Sequence, residues 1–343
     1  MENKKVTFSF YGISLIVEAP AETARQLQLD FSYFMVPSLP EAPLLSIIRI
    51  VAHGNSPVGG FIPPLTASMS LADGVVYDRD NIRYVDYNGK AVVRYDYHAE
   101  SGELYSGDPS LLHELLYLLI HSRVGELLDR RGFHRVHALG IAVAGRGILC
   151  LLPQGGGKTT LFLELMKNPA TMILSDDTPL IDRGGMLFPF PVRVGVAEEK
   201  VPSHIPSAAV TIFHRRNHGS KALIDISFFS EKISNPIRPR FLFIGKRVNA
   251  ATADIKPASI LYAAGALLSQ CVIGLGLPQV VEYFLRRDPR DGVRKCVIVL
   301  SRLYAAGRLL LRTRHYCIYL GTDAARNSAC LMKFIENKCA KGQ

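Results

Sequence analysis

The segment PQGGGKTTL, residues 153–161, decides how the rest of the chain is read. Gly155, Gly156, Gly157, Lys158 and Thr159 are what a loop needs to wrap a polyphosphate. The main-chain N–H groups of such a loop converge on phosphate oxygens, and the following helix adds the positive end of its dipole. Glycines let the backbone approach the phosphates closely. Lys158 is expected to bridge the outer phosphates and Thr159 to place its hydroxyl on Mg²⁺, with Gln154 and Thr160 completing the nucleotide-binding stretch. One position departs from the pattern. Leu152 stands six before Lys158, where the first loop glycine is expected. Pro153 and Gln154 must then begin the turn, and the cradle is expected to survive with altered affinity.

Outward from the loop, the order of elements supports a nucleotide site. HALGIAVAGRGILCLLP, from His137, reads as two apolar strands around a tight turn at Gly145-Arg146. The second strand runs into the glycines. LFLELMKN is a short helix, and TMILS is a strand ending on Asp176-Asp177. Strand, glycine loop, helix, strand and acid pair build a phosphate-binding βαβ unit. Carboxylates at the end of that second strand project toward the phosphates. One can hold Mg²⁺ and the other can accept a proton from an attacking hydroxyl. The competing reading is that the two acids only cap a turn before Pro179.

Upstream, the chain reads as an α+β module over residues 1–105. Val6 to Val17 alternates as strand, and Ala21 opens a helix. Pro37, Pro40 and Pro43 mark an extended connection before the buried strand LLSIIRIVA. Asn88-Gly89 sits between two alternating runs as a hairpin turn. Asp108-Pro109-Ser110 then opens a long helix that ends on Gly132 and carries His113 and His121 as ordinary helix residues. Downstream, PFPVRVGV, AVTIFHRR, ALIDISFF and HYCIYLG read as strands. Ala258–Arg287 and Lys295–Leu311 read as helices, and DAARNSACLMKFIENK closes the chain as another.

Composition bounds the class. The 343 residues are 48% hydrophobic and 20% charged, the balance of a globular protein with a sizeable core. MENKKVTFSF lacks the apolar stretch of a secretory signal. The most apolar segment, Ile260 to Leu277, contains Ser269, Gln270 and three glycines and reads as a buried helix plus turn, not a membrane span. Six scattered cysteines form no disulfide or metal framework and fit a reducing cytoplasm. The net charge is +10, and between Arg286 and Arg314 nine Lys or Arg face only Asp288 and Asp291. That stretch reads either as a solvated helix face or as a docking surface for an acidic protein or peptide. No nucleic-acid-binding motif accompanies it. A homo-oligomer is also compatible with the sequence.

The run VHALGIAVAGRGILCLLPQGGGKTTLFLELMKN followed by ILSDD resembles the catalytic domain of HPr kinase/phosphorylase and the wider bacterial group of HPr-kinase-like proteins. The strong match covers residues 110 to 180, and the later strands and closing helix extend it over about 105 to 338. The resemblance implies an α/β fold akin to phosphoenolpyruvate carboxykinase, in which a mixed sheet carries the phosphate loop in a catalytic domain over residues 106–343. It implies ATP and Mg²⁺ as cofactors and phosphoryl transfer to a Ser or Thr hydroxyl of a small protein or peptide. It makes Asp176 the proton acceptor, Asp177 a metal or water-shell ligand, and His137 the residue that positions the acid pair. This sequence departs from the family where a later glutamate helps to bind metal: PFPVRVGV offers Arg193 instead. NPIRPRFLFIG is similar to a later arginine-bearing segment, which makes Arg238 and Arg240 further phosphate or substrate candidates. The N-terminal module does not look like the regulatory domain of the true HPr kinases.

Two rival expectations stay open. The acceptor can be a small molecule such as free serine, or the site can be a nucleotide-gated peptide-binding module that transfers nothing. A guanine-nucleotide switch and an ABC-type ATPase are disfavoured, because neither the base-reading Asn/Thr-Lys-x-Asp nor a Leu-Ser-Gly-Gly signature is present.

Overall fold

A computed structural model of the chain describes residues 2–38, 46–56, 61–215, 219–277, 283, 286 and 288–340. It shows a mixed α/β protein in two compact units. One comprises Met1–Leu128, His214–Ser220 and Pro278–Lys295. The other comprises Asp129–Phe213, Lys221–Leu277 and Cys296–Gln343.

The first unit is built on an eight-stranded sheet. Its strands are β1 (Asn3–Phe10), β2 (Ile13–Pro20), β3 (Ser46–His53), β4 (Met69–Leu71), β5 (Gly74–Arg79), β6 (Ile82–Asp86), β7 (Ala91–Asp96) and β8 (Ser101–Ser106). They are ordered β1-β2-β3-β8-β7-β6-β5-β4. The expected hairpin turn is present between β6 and β7, where Asn88 and Gly89 take φ of 55° and 72°. Helix α1 (Ala21–Asp30) packs on β1 and β2. The expected buried strand is β3, but Pro40 and Pro43 of the connection before it lie outside the described residues. Helix α2 (Pro109–Arg131) starts where expected: the Asp108 carboxylate accepts from the N–H groups of Ser110 at 2.9 Å and Leu111 at 3.2 Å. His113 bonds the buried Asp30 carboxylate at 2.6 Å, so its role here is structural.

The second unit is centred on a six-stranded mixed sheet ordered β12-β10-β11-β18-β20-β19. These strands are β10 (Leu139–Val143), β11 (Arg146–Leu151), β12 (Thr171–Ser175), β18 (Pro239–Arg247), β19 (Asp254–Pro257) and β20 (Arg314–Leu320). Smaller sheets hold β9 (Phe133–Arg135), β13 (Leu180–Asp182) and β14 (Leu187–Phe188), and β15 (Val194–Val196), β16 (Val210–Arg215) and β17 (Gly219–Ile224). The β10–β11 turn is shifted by one residue from expectation. Ala144 and Gly145, with φ of 49° and 71°, form it, and Arg146 already pairs with Val143.

Both faces of the central sheet are covered, as its continuous apolar strands require. Side chains alternate along each strand. Ile148, Cys150, Phe241 and Phe243 point to the layer of α3 (Lys158–Leu165) and α6 (Ala324–Ala340), where Leu161 and Leu331 meet them. Leu149, Leu151, Leu242 and Ile244 point to the layer of α4 (Ile260–Leu267) and α5 (Pro289–Arg312), through Ala263, Leu267, Ala305 and Leu309.

Three expectations need correction. ALIDISFF is not one strand: β17 ends at Ile224, and Ile226–Lys232 coils into 3₁₀ turns. The helix expected over Ala258–Arg287 is α4 followed by a π-turn over Leu268–Ile273, which stops at Gly274 with φ of 74°. Gly276, at φ 86°, extends the break, and most of residues 278–287 lie outside the described residues. The segment is also not simply buried, since Leu261 is 82% exposed. Conversely, α5 starts six residues before its expected limit, because Asp288 caps it by accepting from the Arg290 N–H at 3.0 Å. Among the described residues, no helix is long and apolar enough to cross a membrane.

Candidate functional site

Strands β11 and β12 are each antiparallel to β10, which lies between them, so they run in the same direction. The glycine loop leaves the end of β11, and Asp176-Asp177 leaves the end of β12. Both therefore emerge at one edge of the sheet, where the chain crosses over through α3. Gly157 precedes α3 in the left-handed region, φ 91°. A side chain on Gly156 would meet the Pro153 carbonyl oxygen at 2.8 Å, so that position accepts only glycine. Gln154 and Thr160 are exposed, and Thr159 is half-buried in the first turn of α3.

Four expected residues come together. The Lys158 ammonium is buried and donates to His137 Nε2 at 2.7 Å and to the Leu152 carbonyl at 2.9 Å. It lies 3.3 Å from Asp177 Oδ1, which is 3.2 Å from His137 Nε2. Lys158 is thus held inward by groups of its own chain. Asp177 is held below the usual carboxylate range: burial opposes this, but the His137 imidazole and the Lys158 charge outweigh it. Asp176 behaves oppositely. Burial, then the adjacent Asp177 charge, push its carboxyl up to about 7, with Lys158 and Lys221 offsetting part of the rise. Two neighbouring acids with divided affinities for a proton are the arrangement general acid–base chemistry uses.

Leu152 is accounted for by packing. Its side chain is fully buried in the core layer beneath the loop and covers Gly245 of β18, where an added Cβ would come within 2.7 Å of the Leu152 side chain. Its carbonyl receives Lys158. Leu152→Gly, which restores the usual loop glycine, is therefore expected to lower stability by about 4 kcal/mol through the cavity it leaves. Urea unfolding monitored by circular dichroism measures this.

Residues that the sequence did not mark also converge here. Gln270, on the π-turn, accepts from His137 twice: its side-chain Oε1 lies 2.6 Å from His137 Nδ1, and its main-chain carbonyl takes the His137 N–H at 3.0 Å. An amide oxygen only accepts, so Nδ1 carries a proton, and Nε2 faces both the Lys158 ammonium and Asp177 Oδ1. The imidazole also packs directly on the backbone of Gly276. π-Turns inside helices recur at functional sites. Gln270→Leu is expected to release the tautomer with little change in fold. Nitrogen-15 chemical shifts of His137 report the tautomer directly.

Lys246 and Arg247 end β18, parallel to β11, at the edge from which the glycine loop leaves. The Lys-Arg pair after an apolar strand was their only sequence signal. Lys221, on the strand paired with β15, adds positive charge near Asp176. Arg193 is buried just before β15. Arg238 and Arg240 lie at the other end of β18, beside the start of β11: the Arg238 carbonyl accepts from Gly147. Residue 240 and residue 244, which pairs with Leu151 at the end of β11, are about 13 Å apart along an extended strand, so both arginines sit toward the opposite end of β18 from the loop.

Oxygen donors on Asp176, Asp177 and Thr159 suit a hard cation. Among the described residues no cluster of three or more His, Cys, Asp or Glu groups is placed to cage one. This donor set fits Mg²⁺, which is commonly held by one or two carboxylates with other ligands completing its coordination. Comparison with models of known protein families and with curated proteins finds no match.

Proposed function

We propose that this chain is an ATP-dependent kinase that transfers the γ-phosphoryl group to a Ser or Thr hydroxyl of a small protein or peptide. The observation that carries the proposal is the meeting of Lys158, His137 and Asp177 beside a glycine loop, with the proton-retaining Asp176 next to them. The resemblance of residues 110–180 to HPr-kinase-like proteins, with their phosphoenolpyruvate-carboxykinase-type fold, supports the same reading.

In this reading ATP draws Lys158 away from His137 and onto its outer phosphates, where the loop N–H groups also donate. Bound Mg²⁺ would be held by Thr159 and Asp177 and would neutralise charge on the phosphates. The acceptor hydroxyl gives its proton to Asp176 as its oxygen attacks the γ-phosphorus. The bond from that phosphorus to the β–γ bridging oxygen breaks, and ADP leaves. His137, fixed by Gln270, keeps Asp177 in place throughout.

The inward hold on Lys158 also fits a module that binds nucleotide and transfers nothing. Incubation with γ-labelled ATP and Mg²⁺, with peptide and metabolite pools offered separately, separates the readings. Label in peptide is the expected result. Label in a metabolite moves the acceptor to a small molecule, and tight ATP binding without transfer supports the non-catalytic module.

A further inference from the structure

Asp129, His134 and Ser301 form a second cluster of proton-handling groups, one that the proposed kinase chemistry does not use. Helix α2 carries Asp129 in its last turn. The chain reverses at Gly132, φ 82°, whose N–H donates to the Asp129 carbonyl, and it enters β9 with His134. The reversal brings the two side chains together, with Asp129 Oδ1 2.8 Å from His134 Nδ1. Ser301, from the middle of α5, places its hydroxyl 2.9 Å from His134 Nε2. Asp129 and His134 are buried and Ser301 is half-buried, so the row of groups leads from the interior toward the surface.

The surrounding bonds fix the proton directions. Arg302, one of the basic residues that follow Arg286, turns inward and holds both oxygens of the Asp129 carboxylate. Burial opposes the ionisation of Asp129, but the bond from His134 and the Arg302 charge hold its carboxyl below the usual carboxylate range. An ionised carboxylate only accepts, so Nδ1 carries a proton. With the imidazole neutral, Nε2 then accepts the Ser301 hydroxyl hydrogen, while the hydroxyl oxygen takes the Arg183 Nε–H at 3.1 Å. A serine inside a helix ordinarily returns its hydroxyl to a carbonyl one turn back; that of Ser301 goes to His134. Arg183 is exposed, and a Cβ at Gly132 would come within 2.6 Å of its Nε, so the glycine is what lets the guanidinium lie beside Ser301.

We propose that Ser301 is a nucleophile, activated by His134, in a second site that hydrolyses carboxylic esters through an acyl-enzyme. Ser301 Oγ attacks the carbonyl carbon and its proton passes to His134 Nε2. The carbonyl electron pair moves onto its oxygen, where the Arg183 guanidinium meets the charge. The bond to the alcohol oxygen breaks as His134 gives that oxygen the proton. Water, losing a proton to His134, then attacks the acyl carbon, the bond to Oγ breaks, Ser301 regains its proton and the carboxylic acid leaves. Asp129 and Arg302 are positioning residues that hold the imidazole. In the middle of α5 the main-chain N–H groups are spent on the helix, so the oxyanion must be met by a side chain. Val297 and Tyr304, four before and three after Ser301 on the same helix face, are 57% and 58% exposed and offer an apolar acyl chain a surface. Arg294 and Arg308, seven residues to either side, add positive charge and disfavour a cationic substrate.

A fluorophosphonate probe tests the nucleophile, with peptide mass spectrometry to locate the adduct, and p-nitrophenyl butyrate tests turnover. Both use the full chain without nucleotide, so the outcome is separate from that of the kinase assay. One adduct on Ser301 and steady release of p-nitrophenolate are expected. Ser301→Ala should abolish the adduct and lower turnover at least about 100-fold, and His134→Gln should slow labelling about 100-fold. If His134→Gln fails to fold, Arg183→Ala, on an exposed side chain, provides the second test, with labelling about tenfold slower. Four results overturn the proposal: a folded wild-type chain with no adduct on Ser301, labelling of Ser301 that persists in urea-unfolded chain, labelling at the wild-type rate in a folded His134→Gln or Arg183→Ala, and an adduct without ester turnover.

Discussion

Asp176→Asn is expected to lower phosphoryl transfer by about 10³-fold while leaving ATP affinity within about threefold. The substitution keeps the shape of the side chain and removes the site that receives the hydroxyl proton, a role commonly worth about 10²–10⁴ in rate. The same change should make the free protein more stable at pH 8. The Asp176 carboxyl is raised from the ordinary 3.8 to about 7, by burial first and by the Asp177 charge second. Below about pH 4 it is protonated in both folded and unfolded chains and contributes no pH-dependent cost. Between about 4 and 7 the folded chain holds its proton and the unfolded chain loses it, so stability from this group falls as pH rises. Above 7 the cost is fully present, on the order of 4 kcal/mol if no other group relaxes. Thermal melts of wild type and Asp176→Asn at pH 5 and pH 8 should therefore converge at low pH and diverge at high pH. In wild type, kcat/KM should rise through pH 7 as the base form appears. Melts that run parallel across the range would sink the assignment of Asp176 as the group with the raised proton affinity, whatever the transfer assay shows.

Lys158→Ala carries the second large effect, and it acts on two states. With nucleotide present, the outer phosphates lose the cation that meets them, and ATP affinity is expected to fall about 100-fold, measured by calorimetric titration. Without nucleotide, His137 Nε2, the Leu152 carbonyl and Asp177 lose their shared donor. Leaving buried acceptors unpaired costs about 2 kcal/mol, so the ligand-free melting temperature should drop as well. Lys158→Met, which keeps most of the packing, should show the same loss of affinity with a smaller loss of stability. A variant that binds ATP as tightly as wild type would remove the glycine loop from the nucleotide site.

The separation between what could and could not be read in advance follows sequence distance. The glycine loop, the Asn88-Gly89 turn, the Asp108 cap and the strand–helix order around Lys158 are local. Each depends on residues within a few positions and on dihedral preferences or a period of two or 3.6, which a sequence displays directly. The pairing of the loop with Asp176-Asp177 was legible for the same reason, since one crossover unit contains both.

The amino-acid order by itself thus determined the strand, glycine turn and helix around residues 139–177 and the chemical types gathered there. Only the tertiary structure decided what those types face. Leu152 reads as a missing glycine until β18 brings Gly245 beneath it. Gln270 has no signature, yet a chain reversal 133 residues away places it on His137. Lys295 and Arg302 count toward a basic surface until Glu126 and Asp129 take them inward and leave Leu300 and Tyr304 outside. The physical reason is common to all three. Desolvation and pairing act between groups that meet only when distant strands and helices pack, and no local preference encodes which face of a helix the core will claim.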